Sequence, residues 1–246
     1  MTLRALIFDV DGTLADTEHA HLDAFNAAFA EAGLSWHWDV PLYTRLLEVS
    51  GGKERIVHYW NEVRGNVKSI EARALEDTVQ HVHDLKTAFY ERMVNEGLVH
   101  LRPGVLALIE AGHAAGLSLA IATTTSPVNV SALLARAIGP DWRYRFHVIE
   151  DGSTAPLKKP RPQVYLQTLQ RLGFEAGACL ALEDSANGLK AARGAGLPVI
   201  VTPNEFTAHH DFGGAACVLQ SLQGVTIADL RQWHATALRQ ASVTIE

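Results

Sequence analysis

The feature that most constrains this chain is an apolar run, residues 3–8, that stops in Asp9-Val10-Asp11-Gly12-Thr13. Such a run fits a buried strand. Side chains alternate along extended backbone, so residues two apart point the same way, and Asp9 and Asp11 face one pocket if that geometry persists past the strand end. Two like charges at that spacing are costly unless a cation or a shared proton compensates them. Gly12 frees the backbone for a tight turn and Thr13 adds a hydroxyl. The ending therefore reads as chemistry and not as packing.

Three later apolar runs also end in polar residues. Residues 117–122 lead into Thr123-Thr124-Thr125-Ser126-Pro127, where successive hydroxyls offer donors to phosphate oxygens and Pro127 starts a helix whose N-terminus favours negative charge. Residues 146–149 form a short strand candidate, followed by Lys158-Lys159-Pro160-Arg161-Pro162, where either lysine would stabilise charge on a phosphoryl group. Residues 178–182 end in Glu183-Asp184-Ser185, an acidic pair at a strand end. Further strands are expected at 198–202 and 216–219, and an amphipathic helix with Leu230, Trp233 and Leu238 after Thr226. Strands separated by helical patterns predict an α/β fold, a Rossmann-like doubly wound parallel sheet with its site along the strand ends.

Residues 17–32 read as a helix with Thr17 as N-cap, Leu22, Phe25, Phe29 and Ala32 at helical spacing, and Gly33 as the stop. Glu18 and His21 lie three apart on the side of Leu22 and Phe25, close behind the aspartate pair. Residues 36–96 carry only helical patterns, at 41–49, 53–63 and 70–95, which argues for a small all-helical domain inserted after the first strand. Its sharpest stretch is Ser50-Gly51-Gly52-Lys53-Glu54-Arg55. Bared amides at a helix start followed by two cations can cradle an anion; a turn capped by Ser50 is the plain alternative. His81 and His83, two apart, fall on different sides of a helix, so a metal pair is not expected there; His209-His210 has no companion ligand at useful spacing, and these two are expected to be solvated loop residues.

The chain's 246 residues, 48% hydrophobic, can bury a sizeable core in one large or two smaller domains. A net charge of -6 without a basic run argues against a nucleic-acid partner. Cys179 and Cys217 lie far apart in apolar surroundings and read as buried thiols in a reducing compartment. The first apolar run is broken at Asp9 and no run is long enough to span a bilayer, so no signal peptide and no membrane partner are expected, and the cytoplasm is the expected location.

Phe8-Asp9-Val10-Asp11-Gly12-Thr13 resembles the first signature of the haloacid-dehalogenase-type phosphohydrolases. Three further signatures follow in order: Thr123 after an apolar strand, Lys159-Pro160-Arg161-Pro162, and Glu183-Asp184-Ser185 with Asn187-Gly188. The resemblance covers essentially the whole chain. It implies that Asp9 attacks phosphorus, that Asp11 gives and then takes a proton, and that Thr123 and Lys159 hold the transferred phosphate, with Thr124, Thr125 and Ser126 as neighbours. Lys158 becomes the lesser candidate. It further implies Mg²⁺ held by Asp9, Asp11 and Asp184, with Glu183 in outer support. These roles make chemical sense: a carboxylate nucleophile splits phosphoryl transfer into two easier steps, and a hard cation offsets the gathered anions. The helical insert matches the family's small cap, giving an expected core of residues 1–15 and 98–246 and a cap of residues 16–97.

Within that superfamily, Ser50-Gly51-Gly52-Lys53-Glu54-Arg55, Ala122 with the following hydroxyls, Glu18 with His21, and Trp36-x-Trp38 look like the CbbY-type sugar-phosphate phosphatases. This implies hydrolysis of xylulose 1,5-bisphosphate to xylulose 5-phosphate, which removes a Rubisco inhibitor. One phosphate would sit on Asp9, Thr123 and Lys159; Ser50, Gly51, Gly52, Lys53 and Arg55 would grip the other, and Glu18 with His21 would meet the sugar hydroxyls. A monomer acting on a small sugar phosphate is expected. The sequence departs from the pattern at Gln163, where an acidic residue often follows the second proline. A β-phosphoglucomutase-like phosphotransferase, a phosphoglycolate-type phosphatase and a non-catalytic phosphosugar-binding regulator are the alternatives.

Overall fold

A parallel six-stranded sheet carries the fold, in the order β3-β2-β1-β4-β5-β6, in a computed structural model that describes residues 1–63 and 72–243. The strands are β1 (Ala5–Phe8), β2 (Ser118–Ala122), β3 (Val148–Glu150), β4 (Cys179–Glu183), β5 (Val199–Val201) and β6 (Cys217–Val218). The chain steps outward from β1 to β3, then returns to lay β4 against the free edge of β1 and steps outward again. The crevice at this reversal lies between the carboxyl ends of β1 and β4, where open α/β sheets hold their ligands.

Alternation along the strands gives the two sheet faces different textures. Leu6, Phe8, Leu119, Ile121, Leu180 and Leu182 face one way. They meet helices α5 (Val105–Ala114), α6 (Pro127–Ala137) and α9 (Ile227–Val243) through residues such as Leu108, Val130 and Leu230. Ala5, Ala120, Ala122 and Ala181 face the other way, and their small side chains admit α7 (Gln163–Leu172) and α8 (Ala186–Gly194) through Val164, Leu169, Leu189 and Ala192.

Among the described residues of the insert the regular elements are all helices: α1 (Glu18–Glu31), α2 (Val40–Leu46), α3 (Gly52–Val63) and α4 (Ala72–Asn95). The expected start of the last of these, at Ile70, lies outside the described residues. Phe25, Phe29, Trp38, Tyr43, Leu46, Ile56, Val79 and Val82 form their shared apolar cluster. Both α1 and α4 also reach the sheet's core, through Ala20, Ala24, Tyr90 and Val94. These two helices therefore join the apolar centres.

Several local expectations need correction. Thr17 does not cap α1 with its hydroxyl, because its backbone is helical (φ -100°, ψ -16°) and not extended. Asp39, Ser126 and Ser185, all extended, do cap α2, α6 and α8. Strand β3 begins two residues later than expected, at Val148, since Phe146 ends a short turn and packs edge-on to Phe8. Cys179 is buried but Cys217, on the edge strand, is half-buried; both thiols are free. Among the described residues no helix is long and apolar enough to cross a membrane.

Arg102, at the return from the insert, is buried and fastens the loops that carry the crevice. It donates to the Gly12 and Thr202 carbonyls at 2.5 Å each and to the Pro203 carbonyl at 2.9 Å. Replacing it strands these buried acceptors. Arg102→Met is expected to lower stability by about 2–4 kcal/mol, read from urea unfolding at unchanged m-value.

Candidate active site

Strand β1 hands its register on to Asp9, whose N–H still donates to the Leu182 carbonyl of β4 at 3.1 Å. The Asp9 carboxylate consequently leaves the sheet at the crevice. Its Oδ1 accepts from Lys159 Nζ at 2.6 Å and its Oδ2 from the Thr13 hydroxyl at 3.1 Å. The same ammonium donates to Glu183 Oε1 at 2.6 Å, an oxygen that also accepts from the Tyr165 hydroxyl. Asp184 Oδ2 accepts from Asn204 at 2.9 Å. Lys158 turns away to the Gly152 and Ala155 carbonyls, so the lysine beside Asp9 is Lys159.

Three buried carboxylates thus face one ammonium. Burial pushes Asp9 up to about 7, against the pull of Lys159, and Glu183 adds to the rise. Asp184 is raised well above the carboxylate range by burial, then by Asp9 and Glu183. Burial opposes the charge on Lys159, yet Asp9 and Glu183 more than offset it and hold its pKa above the ordinary lysine value. Oxygens of Asp9, Glu183 and Asp184 lie within 4.8 Å of one another, and Glu183 Oε2 is buried with no hydrogen-bond partner among the described residues. Excess negative charge with an orphaned oxygen fits a hard divalent cation with oxygen ligands. Gly188 leaves room for that carboxylate; a Cβ there would overlap Glu183 Oε2.

Asp11 faces the insert. Its Oδ1 lies 2.9 Å from His21 Nε2, and His21 Nδ1 lies 2.8 Å from the buried Lys86 ammonium. Lys86 can only donate, so Nδ1 accepts and the ring proton sits on Nε2, directed at Asp11. Burial raises the Asp11 carboxyl, but His21 and then Lys86 outweigh it and bring its pKa down to about 2. Burial and Lys86 lower His21 below the ordinary value, while Asp11 pulls the other way. Lys86 itself is lowered to about 8 by burial.

The strand end after β2 supplies Thr123, buried, whose Oγ1 accepts from the Thr125 N–H at 3.3 Å. Thr125 Oγ1 accepts from Asn129 at 3.1 Å, and Ser126 caps α6 through the Asn129 N–H. On the opposite wall Glu18 Oε2 accepts from the Tyr43 hydroxyl at 2.8 Å. Arg55 is buried there, donating from Nε to the Leu46 carbonyl at 3.1 Å and from NH1 to the Tyr43 hydroxyl at 3.4 Å. Gly51 holds a positive φ of 97° and opens α3.

One cavity gathers Asp9, Asp11, Glu18, His21, Ser50, Gly51, Gly52, Arg55, Thr123, Thr124, Thr125, Ser126, Lys159, Glu183 and Asp184. Lys53 is not in its lining. Two residues along a helix turn the side chain by about 200° from that of Arg55, and Lys53 Nζ instead donates to Gln80 at 2.5 Å on the outside of the insert.

The same cavity is lined by residues that sequence reasoning missed. His210, expected to be solvated, lines it with its Nδ1 accepting from the Ala186 N–H at 3.3 Å. His83 lines it too, and burial followed by the charges of Lys86 and Lys53 lowers its pKa to about 4, so the ring is neutral at pH 7. Lys86, Asn129, Ser185 and Thr207 line it as well, with Phe25 and Leu47 as its apolar members. Lys86 left a legible signal: it interrupts the apolar stripe Val82, Tyr90, Val94 at i+4 spacing, where a charge needs a buried partner. The loop residues His210 and Thr207 carried no such signal.

This geometry accords with the comparisons. The family model of haloacid dehalogenase-like hydrolases matches residues 3–196. The plasmid-encoded CbbY protein of Cupriavidus necator is 53% identical over 98% of this chain and 100% of its own length. Crystal structures of CbbY from Rhodobacter sphaeroides are similar over 93% of this chain and 99% of theirs at 41% identity. The one with phosphate has a TM-score of 0.84, and that of a mutant with xylulose 1,5-bisphosphate has 0.85. Family signature, cavity and near full-length likeness agree: the chain belongs to the haloacid dehalogenase-like hydrolases, stands with the CbbY proteins among them, and is a phosphatase.

Proposed function

We propose that this phosphatase hydrolyses xylulose 1,5-bisphosphate to xylulose 5-phosphate with Mg²⁺ as cofactor, and so removes a Rubisco inhibitor. The observation that carries the reading is the pairing of a Lys159-bound Asp9 with an independently held Asp11 in one cavity that also has a cationic far wall at Arg55. The bisphosphate bound by the related Rhodobacter sphaeroides protein supports the substrate.

Asp9 attacks the phosphorus of the C1 phosphate, forming an acyl phosphate as the bond to the sugar oxygen breaks. Lys159, Thr123 and the neighbouring Thr124, Thr125 and Ser126 hold the phosphoryl oxygens. Asp11 protonates the leaving alkoxide and then takes a proton from the water that hydrolyses the intermediate. The Lys86 and His21 contacts give Asp11 a route for protons: Lys86 to His21 Nδ1, and His21 Nε2 to Asp11. Asp9, the Asp11 carbonyl and Asp184 would hold Mg²⁺, with Glu183 in support, and the bound ion would neutralise the nucleophile and phosphate together. Glu18 meets the sugar hydroxyls; His21, expected to share that task, lines the same wall with both ring nitrogens held by Asp11 and Lys86, and Ser50, Gly51, Gly52 and Arg55 receive the second phosphate.

The division into a core of residues 1–15 and 98–246 and a cap of 16–97 is part of this proposal. Its support is that the two connections pair with each other: the Asp16 N–H donates to the His100 carbonyl at 3.2 Å and the Arg102 N–H to the Leu14 carbonyl at 2.9 Å. Such a double crossing suits a hinge that lets the cap close over the substrate. Action as a monomer in the cytoplasm belongs to the same proposal, with two free thiols in support of a reducing setting.

Phosphate release in Mg²⁺ from xylulose 1,5-bisphosphate, ribulose 1,5-bisphosphate, phosphoglycolate and β-glucose 1-phosphate tests the substrate. A strong preference for the first is expected; a flat or phosphoglycolate-led profile would discard the Rubisco connection. Asp9→Asn is expected to lower turnover at least about a thousand-fold with circular dichroism unchanged, and near-normal activity in that variant would exclude the covalent route. Lys53→Ala is expected to shift the preference for bisphosphate over monophosphate by less than about twofold, since its ammonium is outside the cavity. Lys86 loses its proton as pH rises through about 8, so kcat/KM is expected to fall over that range, and Lys86→Met to remove that limb from the pH profile.

A further inference from the structure

A short turn after β5, residues 203–207, reaches from the sheet into the helical insert. Phe206 is buried in the apolar cluster of α1 to α4, and among the described residues it is the one buried member from outside the insert. Its ring lies edge-on to Tyr43 at 5.9 Å and to His19 at 4.9 Å between centroids. Tyr43 has its own tasks. Its hydroxyl holds Glu18, receives Arg55, and its ring lies 5.3 Å from the Arg55 guanidinium. Glu18 and Arg55 both line the cavity.

The other end of the turn is fastened to the acidic cluster. Asn204 donates from Nδ2 to Asp184 Oδ2 at 2.9 Å, while its Oδ1 accepts from the Phe206 N–H at 2.9 Å. The Asn204 carbonyl accepts from the Ala208 N–H at 2.8 Å, and its N–H donates to the Thr207 hydroxyl at 3.0 Å. Arg102 pins the preceding Pro203 carbonyl at 2.9 Å. Asn204 therefore ties the direction of Phe206 to the position of Asp184. Glu205 also meets His19, but both side chains are more than half exposed, where an ion pair holds little. The aromatic contact is the anchor.

We propose that the Asn204-Glu205-Phe206 turn is a strap that sets the Glu18 and Arg55 wall relative to Asp184, with Phe206 as a positioning residue for sugar recognition. The proposal rests on the sugar-phosphate phosphatase reading above. An aromatic ring seated at interior packing density among other rings has one well-defined seat, so it transmits position. Without it Tyr43 loses a wall, and Glu18 and Arg55 lose their fixed reach into the cavity. Asp9, Thr123 and Lys159 keep their partners, because none of them contacts the turn.

The test compares the wild-type chain with Phe206→Ala and Phe206→Leu on xylulose 1,5-bisphosphate and on 4-nitrophenyl phosphate, a small ester that has no sugar to grip. Amide hydrogen exchange of the substrate-free proteins is measured alongside. Phe206→Ala is expected to raise KM for the bisphosphate about tenfold and to change hydrolysis of the aryl ester less than about twofold. Phe206→Leu is expected to recover most of the loss. Exchange should quicken in α2 and the first turns of α1, with β1 and β4 unchanged. Equal losses on both substrates, no loss on the bisphosphate, or unchanged exchange in α1 and α2 would overturn the strap. If the wild-type chain releases no phosphate from any sugar phosphate, the functional reading falls, and the exchange comparison alone decides the strap.

Discussion

The contact on which the site depends is the Lys159 ammonium, 2.6 Å from both Asp9 and Glu183. The two carboxylates sit at the ends of adjacent strands, β1 and β4, whose apolar residues are buried and leave no freedom to move the charges apart. Burying such charges is unfavourable unless they are paired and hydrogen-bonded. Lys159 supplies one positive charge against three carboxylates, so the cluster is under-compensated. A site left short of positive charge is suited to receive a cation and to be organised further by it.

A second constraint comes from α1, which belongs to two apolar clusters at once. Ala20 and Ala24 face the sheet's core, while Leu22, Phe25 and Phe29 face the helical insert. Both faces are satisfied only when the helix stands between them. Its first turns carry Glu18 and His21 into the cavity as a consequence of that packing. Polar groups in the cavity are set in turn by groups behind them: Tyr43 behind Glu18, Lys86 behind His21, Tyr165 behind Glu183. In a buried, low-dielectric setting each such contact fixes both geometry and protonation.

What could be read from the sequence was what is local. Asp9, Asp11, Thr123, Lys159, Glu183 and Asp184 each sit at or just beyond the end of an apolar strand or in the loop before a helix, and strand alternation and helix signals are encoded in neighbouring residues. That the strands run parallel followed from the alternation of strand and helix patterns, whereas their order in the sheet came from the structure. Thr17 misled because a residue's suitability as an N-cap does not fix its backbone, which here is helical. Lys53 was grouped with Arg55 by proximity in sequence, yet helical rotation sends their side chains to different sides.

The sequence by itself therefore determined the sheet, the helical insert and the residues gathered at the strand ends, since each rests on short-range periodicity and local chemistry. Only the tertiary structure decided which distant groups meet them. Lys86 reaches His21 across 65 positions, Asn204 reaches Asp184 across 20, and Phe206 enters a cluster whose other buried members lie far earlier in the chain. Such meetings depend on how helices and loops pack over the crevice. No local pattern records that packing, because it is settled by the joint fit of surfaces from the whole chain.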